Sequence, residues 1–318
     1  MNLSNHSSSI YVAGHTGLVG SAILRELDRR GYQNIIQRSS ADIDLRRQDA
    51  VEDFFSELKP EFVIVAAARV GGILANSEAP VEFLADNLEI ELNVIRSAAR
   101  VHVKRLIFLG SSCVYPKLAP QPLTESSLLT GPLEPTNEWY AIAKIAGIKL
   151  CQAYHQQYGH DFVSLMPTNL YGQNDNFDLH TSHVLPALMR KFHEAKTRGK
   201  GEAVVLWGSG SPRREFLHVD DLADACVHVL EINENTMAEK APGRLINVGT
   251  GMDVTIKELA DLIRTIVGSE NPIDWDTTKP DGTPRKLLDV SLMNTLDWKA
   301  QTSLEEGIRS TYEWYLSS

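Results

Sequence analysis

The sequence predicts an α/β protein, a doubly wound parallel sheet followed by a smaller α/β domain. Three features carry that expectation. Short β-prone runs alternate with amphipathic segments, a glycine turn joins the first run to the first of those segments, and the composition is that of an ordinary globular chain. Of 318 residues, 43% are hydrophobic and 23% charged, which excludes a fibre, a disordered tail and a disulfide-stapled mini-protein. The length suits about two domains of roughly 150 residues. Residues 10–13 form the first apolar run, which breaks at Gly14. Residues 18–30 then place Val19, Ile23 and Leu27 four apart on one helical face, and Gly31 stands where a helix stops. Residues 34–37 read as a second strand, 51–58 as a helix, 61–67 as a third strand, 81–100 as a helix and 105–109 as a fourth strand. Such alternation requires right-handed crossovers and covers a parallel sheet on both faces. This first domain is expected over 1–166. In 167–318, turn-rich stretches at 167–177, 207–212 and 279–285 separate helical segments near 184–197, 220–232 and 255–267. That pattern predicts the smaller domain, with about 214–232 returning to the first.

Lys plus Arg number 31 against 41 Asp plus Glu, a formal charge of −10. An acidic chain is repelled by nucleic acid and by anionic lipid, so neither is expected as a partner. An anionic ligand must be caught by local cations or backbone amides. The three cysteines, Cys113, Cys151 and Cys226, are too few for a disulfide framework and lack metal-type spacing. Residues 1–9 are polar without the basic flank or apolar core of a secretory signal. No apolar run approaches the ~20 residues that span a bilayer. A reducing, cytoplasmic compartment is therefore expected.

Gly14-His15-Thr16-Gly17-Leu18-Val19-Gly20 follows a strand and opens a helix. Gly14 permits the tight turn, Gly17 lets the backbone approach a pyrophosphate, and Gly20 allows close helix–sheet packing. This Rossmann-type fingerprint predicts a dinucleotide, its phosphates held by amides and the helix dipole. At the end of the second strand, Gln37-Arg38-Ser39-Ser40 offers a guanidinium and no carboxylate, which favours the 2′-phosphate of NADP(H) over NAD. Asp42 follows, where a carboxylate faces the adenine side.

Tyr140 and Lys144 lie four residues apart on one helical face. An ammonium beside a phenol favours the phenolate and makes the tyrosine a usable acid or base. Ser111 closes the fourth strand, 29 residues before Tyr140, at the edge where doubly wound sheets bind ligands. The glycine turn, Ser111 and this pair resemble the extended short-chain dehydrogenase/reductases, which act mostly on nucleotide sugars. The similarity extends through Phe108-Leu109-Gly110-Ser111-Ser112-Cys113-Val114-Tyr115-Pro116 and Met166-Pro167-Thr168-Asn169-Leu170-Tyr171-Gly172. It continues in Arg214-Glu215-Phe216-Leu217-His218 and Lys279-Pro280-Asp281-Gly282-Thr283-Pro284-Arg285-Lys286.

The resemblance implies an enzyme that inverts C3 and C5 of a GDP-linked 4-keto-6-deoxyhexose and then reduces C4 with NADPH. It implies Ser111, Tyr140 and Lys144 at the keto oxygen, Cys113 as base once local positive charge lowers its pKa, and His183 as acid. It also implies that Leu109, Gly110, Ser112, Lys144, Pro167, Thr168, Asn169, Leu170 and His183 line the cofactor. Lys191, Trp207, Arg214 and Asp281 are implied at the GDP end, and a homodimer is expected. Thr16 stands where many members carry Arg and Ser40 where some do, so the NADP(H) expectation rests mainly on Arg38. Two alternatives stay open: a nucleotide-sugar epimerase or dehydratase that retains NAD, and a dinucleotide-sensing protein without catalysis.

Overall fold

The computed structural model describes residues 6–199, 201–279 and 281–318. Residues 1–5, part of the polar start, and Pro280, inside the last quoted motif, lie outside the described residues. In the first half, β1 (Ile10–Ala13) leads through the glycine turn to α1 (Leu18–Arg29), β2 (Ile35–Ile36), α2 (Gln48–Leu58) and β3 (Phe62–Val65). Then come α3 (Ile73–Glu78), α4 (Pro80–Arg100), β4 (Arg105–Leu109), α5 (Glu138–Tyr158) and β5 (Phe162–Pro167). The second half supplies β6 (Asn169–Tyr171), α6 (Val184–Arg198), β7 (Val204–Trp207), β8 (Arg213–His218), α7 (Val219–Glu231), α8 (Glu234–Lys240) and β9 (Leu245–Val248). It closes with β10 (Asp253–Thr255), α9 (Ile256–Val267), β11 (Ile273–Asp276), β12 (Arg285–Lys286), α10 (Ser291–Thr295) and α11 (Leu304–Ser317).

The expected doubly wound sheet is present, six parallel strands in the order β2-β1-β3-β4-β5-β9. Its central strands are buried along their whole length, as a sheet covered on both faces requires. Alternate residues of β1 serve opposite cores. Ile10 and Val12 pack with Ile23 and Leu27 of α1 and Leu222 and Val229 of α7, while Tyr11 and Ala13 pack with α2, α4 and α5. The order reverses between β1 and β3, opening a crevice at the carboxyl edge. A third core joins α6, α9 and α11 to β7 and β8. There β10-β8-β12, with β6 paired to β8, and the β7–β11 pair form two smaller sheets.

Several expectations need correction. The stretch 167–177, read as turns, contains β6. Helix α2 begins at Gln48 rather than 51, with Asp49 favouring its positive end, and the strand expected over 34–37 shrinks to β2. Within 214–232, α7 packs along α1, but β8 belongs to a smaller sheet. The sixth strand is β9, which the sequence hides because Asn247 interrupts its apolar run. That buried amide is fully used: it donates to the carbonyls of Leu123 (2.9 Å) and Asp289 (3.1 Å) and accepts from the Tyr115 hydroxyl (2.5 Å). Among the described residues, no helix is long and apolar enough to cross a membrane.

Candidate active site

The glycine turn leaves room where a phosphate needs it. Gly14 has φ +81°, and a Cβ there would lie 2.6 Å from the backbone of Ala67. A Cβ on Gly20 would strike the Gly14 carbonyl. At Gly17 it would touch only that carbonyl, at 3.7 Å, and otherwise fill open space over the turn. Helix α1 has neither a side-chain cap nor an acid in its first turn, so its leading amides point into that space. His15 presents a buried Nδ1 without a partner among the described residues, Thr16 is exposed, and Leu18 and Val19 are half-buried. This cradle fits a dinucleotide. Just beyond β2, Arg38 is exposed, donates to the Gln37 carbonyl (2.8 Å) and lies 6.0 Å from the Phe54 ring centre. Asp42 accepts from the amide (2.8 Å) and hydroxyl (2.7 Å) of Ser39, bonds that hold its carboxyl below the usual range. Ser40 is exposed beside them.

Buried β4 ends at Leu109, and buried Gly110 follows it and leads to Ser111 at the crevice. The Ser111 hydroxyl accepts from the Cys113 amide (3.3 Å) and so caps a short turn over Ser112–Val114. Cys113 is buried within it. On α5, the Lys144 ammonium lies 5.8 Å from the Tyr140 ring centre, 4.7 Å from that of Phe108 and 3.2 Å from a carboxylate oxygen of Glu91. Pro167, the last residue of neighbouring β5, and Thr168 after it are buried, and Asn169 and Leu170 at the start of β6 are half-buried. Thr168 (3.2 Å) and Asn169 (2.7 Å) donate to the Glu215 carbonyl, tying this edge to β8.

His183 precedes α6 and is open to solvent within the crevice. Gly72 buttresses the backbone before it. Its amide donates to the Thr181 carbonyl (3.0 Å), and a Cβ there would press on the Ser182 carbonyl at 3.0 Å. Surrounding protein, then the charge of Lys286, push the imidazole below its ordinary value. Burial pushes the Cys113 thiol up, against the pull of Lys286, Ser111 and Lys144. The expected net lowering of Cys113 is thus not present in the free protein, because desolvation outweighs the nearby charge. The expected lowering of Tyr140 by Lys144 is also absent. Burial raises the phenol well above 10, the charges of Cys113 and Glu91 add to it, and the ammonium is held toward Glu91.

Toward the other end, Lys191 is half-buried on α6 and donates to the Val205 carbonyl (3.1 Å). Trp207, 66% exposed, ends β7 with the Lys279 ammonium 5.5 Å from its ring centre. Arg214 is half-buried on β8, donates to the Arg213 carbonyl (2.8 Å), and has no carboxylate within ion-pair reach among the described residues. Asp281 is already occupied: its two oxygens accept from the Ser209 amide (2.9 Å) and hydroxyl (2.7 Å). These bonds hold a loop in place, and each exposed carboxylate oxygen keeps a second lone pair for a further donor.

Sequence reasoning gave no role to three further residues. Lys286 and Glu134 line a small cavity with Cys113 and Thr283, and Glu134 binds Lys117 (3.0 Å) and Thr283 (3.1 Å). Glu91 lies buried beneath Lys144. Lys286 stood inside a quoted motif. Glu91 had its own signal, a carboxylate on the helical stripe of Phe83, Asn87, Glu91, Val94 and Ala98 that faces the core.

Comparisons with known proteins agree with this geometry. Residues 10–249 match the NAD dependent epimerase/dehydratase family. GDP-L-fucose synthase 1 of Arabidopsis thaliana is 58% identical over 317 residues, covering 100% of this chain and 96% of its own length. GDP-L-fucose synthase of Escherichia coli (strain K12) is 53% identical, with 97% of each chain covered. Among solved structures, a GDP-L-fucose synthetase from Naegleria fowleri bound to NADP superposes with a TM-score of 0.85 at 29% identity, covering 98% of this chain and 94% of that one.

Proposed function

We propose that this chain, which belongs to the NAD dependent epimerase/dehydratase family, converts GDP-4-keto-6-deoxy-D-mannose to GDP-L-fucose by inverting C3 and C5 and then reducing C4. The observation that carries the proposal is the gathering of one thiol, one imidazole, a serine, a phenol and two ammonium groups at the carboxyl edge of the sheet. A rival that only recycles a 4-keto sugar has no use for the thiol and imidazole.

The ketone acidifies the hydrogens on C3 and C5, because the enolate places its charge on O4. Ser111 and Tyr140 hold O4 and stabilise that charge. Cys113 removes a proton from one face and His183 returns one to the other. In the free protein the thiol keeps its proton and the imidazole lacks one. Passing one proton from sulfur to imidazole creates base and acid together, with no change in total protons, and Lys286 steadies the thiolate. NADPH, when bound, supplies hydride to C4. The glycine cradle holds its pyrophosphate, Lys144 its ribose and Arg38 its 2′-phosphate, while Tyr140 donates the proton that O4 takes up.

On this proposal residues 1–166 hold the cofactor and most of 167–318 hold the GDP-sugar. The chain is acidic overall, so Lys191 and Arg214 supply the local cations for the diphosphate, with Trp207 stacking on guanine. The working unit is a homodimer in the cytoplasm. Exposed Val81 and Leu92 on α4 and Ile142 on α5 support a helical contact, and the three free cysteines suit a reducing compartment.

The test mixes the protein with GDP-4-keto-6-deoxy-D-mannose and NADPH and identifies the sugar by NMR. GDP-L-fucose is the expected product, and a 6-deoxyhexose reduced without inversion at C3 and C5 overturns the proposal. A second measurement addresses the cofactor. Arg38→Ala should raise KM for NADPH by about tenfold or more, the worth of one charge-assisted hydrogen bond, and leave KM for NADH nearly unchanged. Equal changes for both would show that the 2′-phosphate is read elsewhere.

A further inference from the structure

Helix α4 lays Phe83, Asn87, Glu91, Val94 and Ala98 into the core. Most of this stripe is apolar, and Asn87 satisfies its own amide on the Phe83 (2.7 Å) and Arg69 (3.1 Å) carbonyls. Glu91 is different. Its carboxylate meets the Lys144 ammonium at 3.2 Å, both side chains are 2% exposed, and Lys144 is its only charged partner among the described residues. Gly147 makes the approach possible, since a Cβ there would lie 2.6 Å from one Glu91 oxygen and run into the Phe108 ring. The ammonium thus sits in a slot walled by the Glu91 carboxyl, the Phe108 face and the Tyr140 ring. A buried ion pair adds little net stability, and a mid-helix glycine weakens its helix. Apolar side chains would fill the same volume more favourably, so the arrangement is one that controls charge at Lys144.

We propose that Glu91 is the positioning residue of the Tyr140–Lys144 pair: it holds the ammonium from behind, and its own charge sets how strongly Lys144 favours the phenolate. This rests on the proposed function, in which Tyr140 is the proton donor to O4. The titratable groups that act together with Glu91 are Lys144, Tyr140 and Cys151, all on α5, while Cys113, on the turn after β4, acts on Tyr140 in the same sense. Burial pushes the Glu91 carboxyl up to about 7 against the pull of Lys144. Below that pH the carboxyl is neutral and Lys144 acts on the phenol undiminished. Above it the anion offsets the ammonium, and Tyr140 keeps the proton it must give.

Glu91→Gln tests this in the full-length protein. The rate of NADPH oxidation by GDP-4-keto-6-deoxy-D-mannose, followed against pH, should show its alkaline limb moved down by about one unit, as expected for losing one charge at this range. Glu91→Asp, which keeps the charge, should bring the limb back toward the wild type. A merely structural role would scale the rate equally at every pH, so a limb that stays in place overturns the proposal. Wild-type protein carrying carbon-13 in its glutamate carboxyls gives an arm that needs neither variant nor turnover. A glutamate resonance titrating near neutrality is expected, assigned to Glu91 by its loss in Glu91→Gln because burial also raises Glu125 and Glu215, and the absence of any such resonance from the wild type overturns the proposal even if the variant fails to fold. Wild-type protein that reduces no keto sugar overturns the functional proposal and this one together. Active wild type with an unmoved limb overturns only the role of Glu91.

Discussion

In Cys113→Ser protein, exchange of the C3 and C5 hydrogens of GDP-4-keto-6-deoxy-D-mannose with solvent deuterium should fall by about three orders of magnitude, the scale of a lost general base. The substitution keeps size and hydrogen-bonding capacity, so it isolates acidity. Burial already lifts the thiol, and the Lys286 ammonium and Ser111 hydroxyl only partly counter it. A serine hydroxyl, far less acidic at the start, gains nothing comparable from the same neighbours. Reduction should survive, because Tyr140, Lys144 and the glycine cradle are untouched. Supplied with the already inverted GDP-4-keto-6-deoxy-L-galactose, the variant should oxidise NADPH within about tenfold of the wild-type rate, a loss small beside that from removing a catalytic group. NMR in deuterium oxide measures the first quantity and NADPH absorbance the second. Exchange at the wild-type rate removes Cys113 from the chemistry. Equal loss of both activities assigns it to packing.

How much of this was legible beforehand follows from which interactions are local. The turn from β1 to α1 announces itself because tight backbone geometry demands particular residues in a row. Tyr140 and Lys144 share a face by helical period alone, and Ser111 is fixed by ending an apolar strand. What escaped notice depends on partners distant in the chain. Strand β9 joins the main sheet beside β5 with Tyr115, Leu123 and Asp289 satisfying its buried Asn247, and no local pattern encodes such bonds. The bonds that orient Asp281 come from Ser209, 72 residues earlier, and no local pattern announces them. The titration of Cys113 and Tyr140 was misjudged for a related reason. Sequence proximity displays the neighbouring charge but not the burial that opposes it, and here burial wins. Glu91 could have been noticed, since a carboxylate on a core-facing stripe is rare unless paired. Its partner on α5, 53 residues away, could not.

Tyr140→Phe should produce the opposite division of labour. Hydride transfer to C4 should drop by about three orders of magnitude, since O4 loses the donor that neutralises it as the carbon is reduced. Deuterium exchange at C3 and C5 should drop much less, by roughly tenfold, because Ser111 still offers a hydroxyl to the enolate oxygen while Cys113 and His183 remain. One oxygen is removed from a ring whose packing stays, and the Lys144 ammonium remains held by Glu91 and Phe108. NADPH affinity should therefore change little. Single-turnover rates with NADPH and with its 4-deuterated form separate hydride transfer from binding, and the isotope effect should grow as reduction becomes limiting. The inverted 4-keto sugar should then accumulate, visible by NMR, where Cys113→Ser leaves the D-manno ketone unchanged. Two variants failing in complementary steps are what one ring held between two sets of groups requires. An unaltered hydride-transfer rate in Tyr140→Phe would mean the proton reaches O4 from another donor, such as the Ser111 hydroxyl that follows β4.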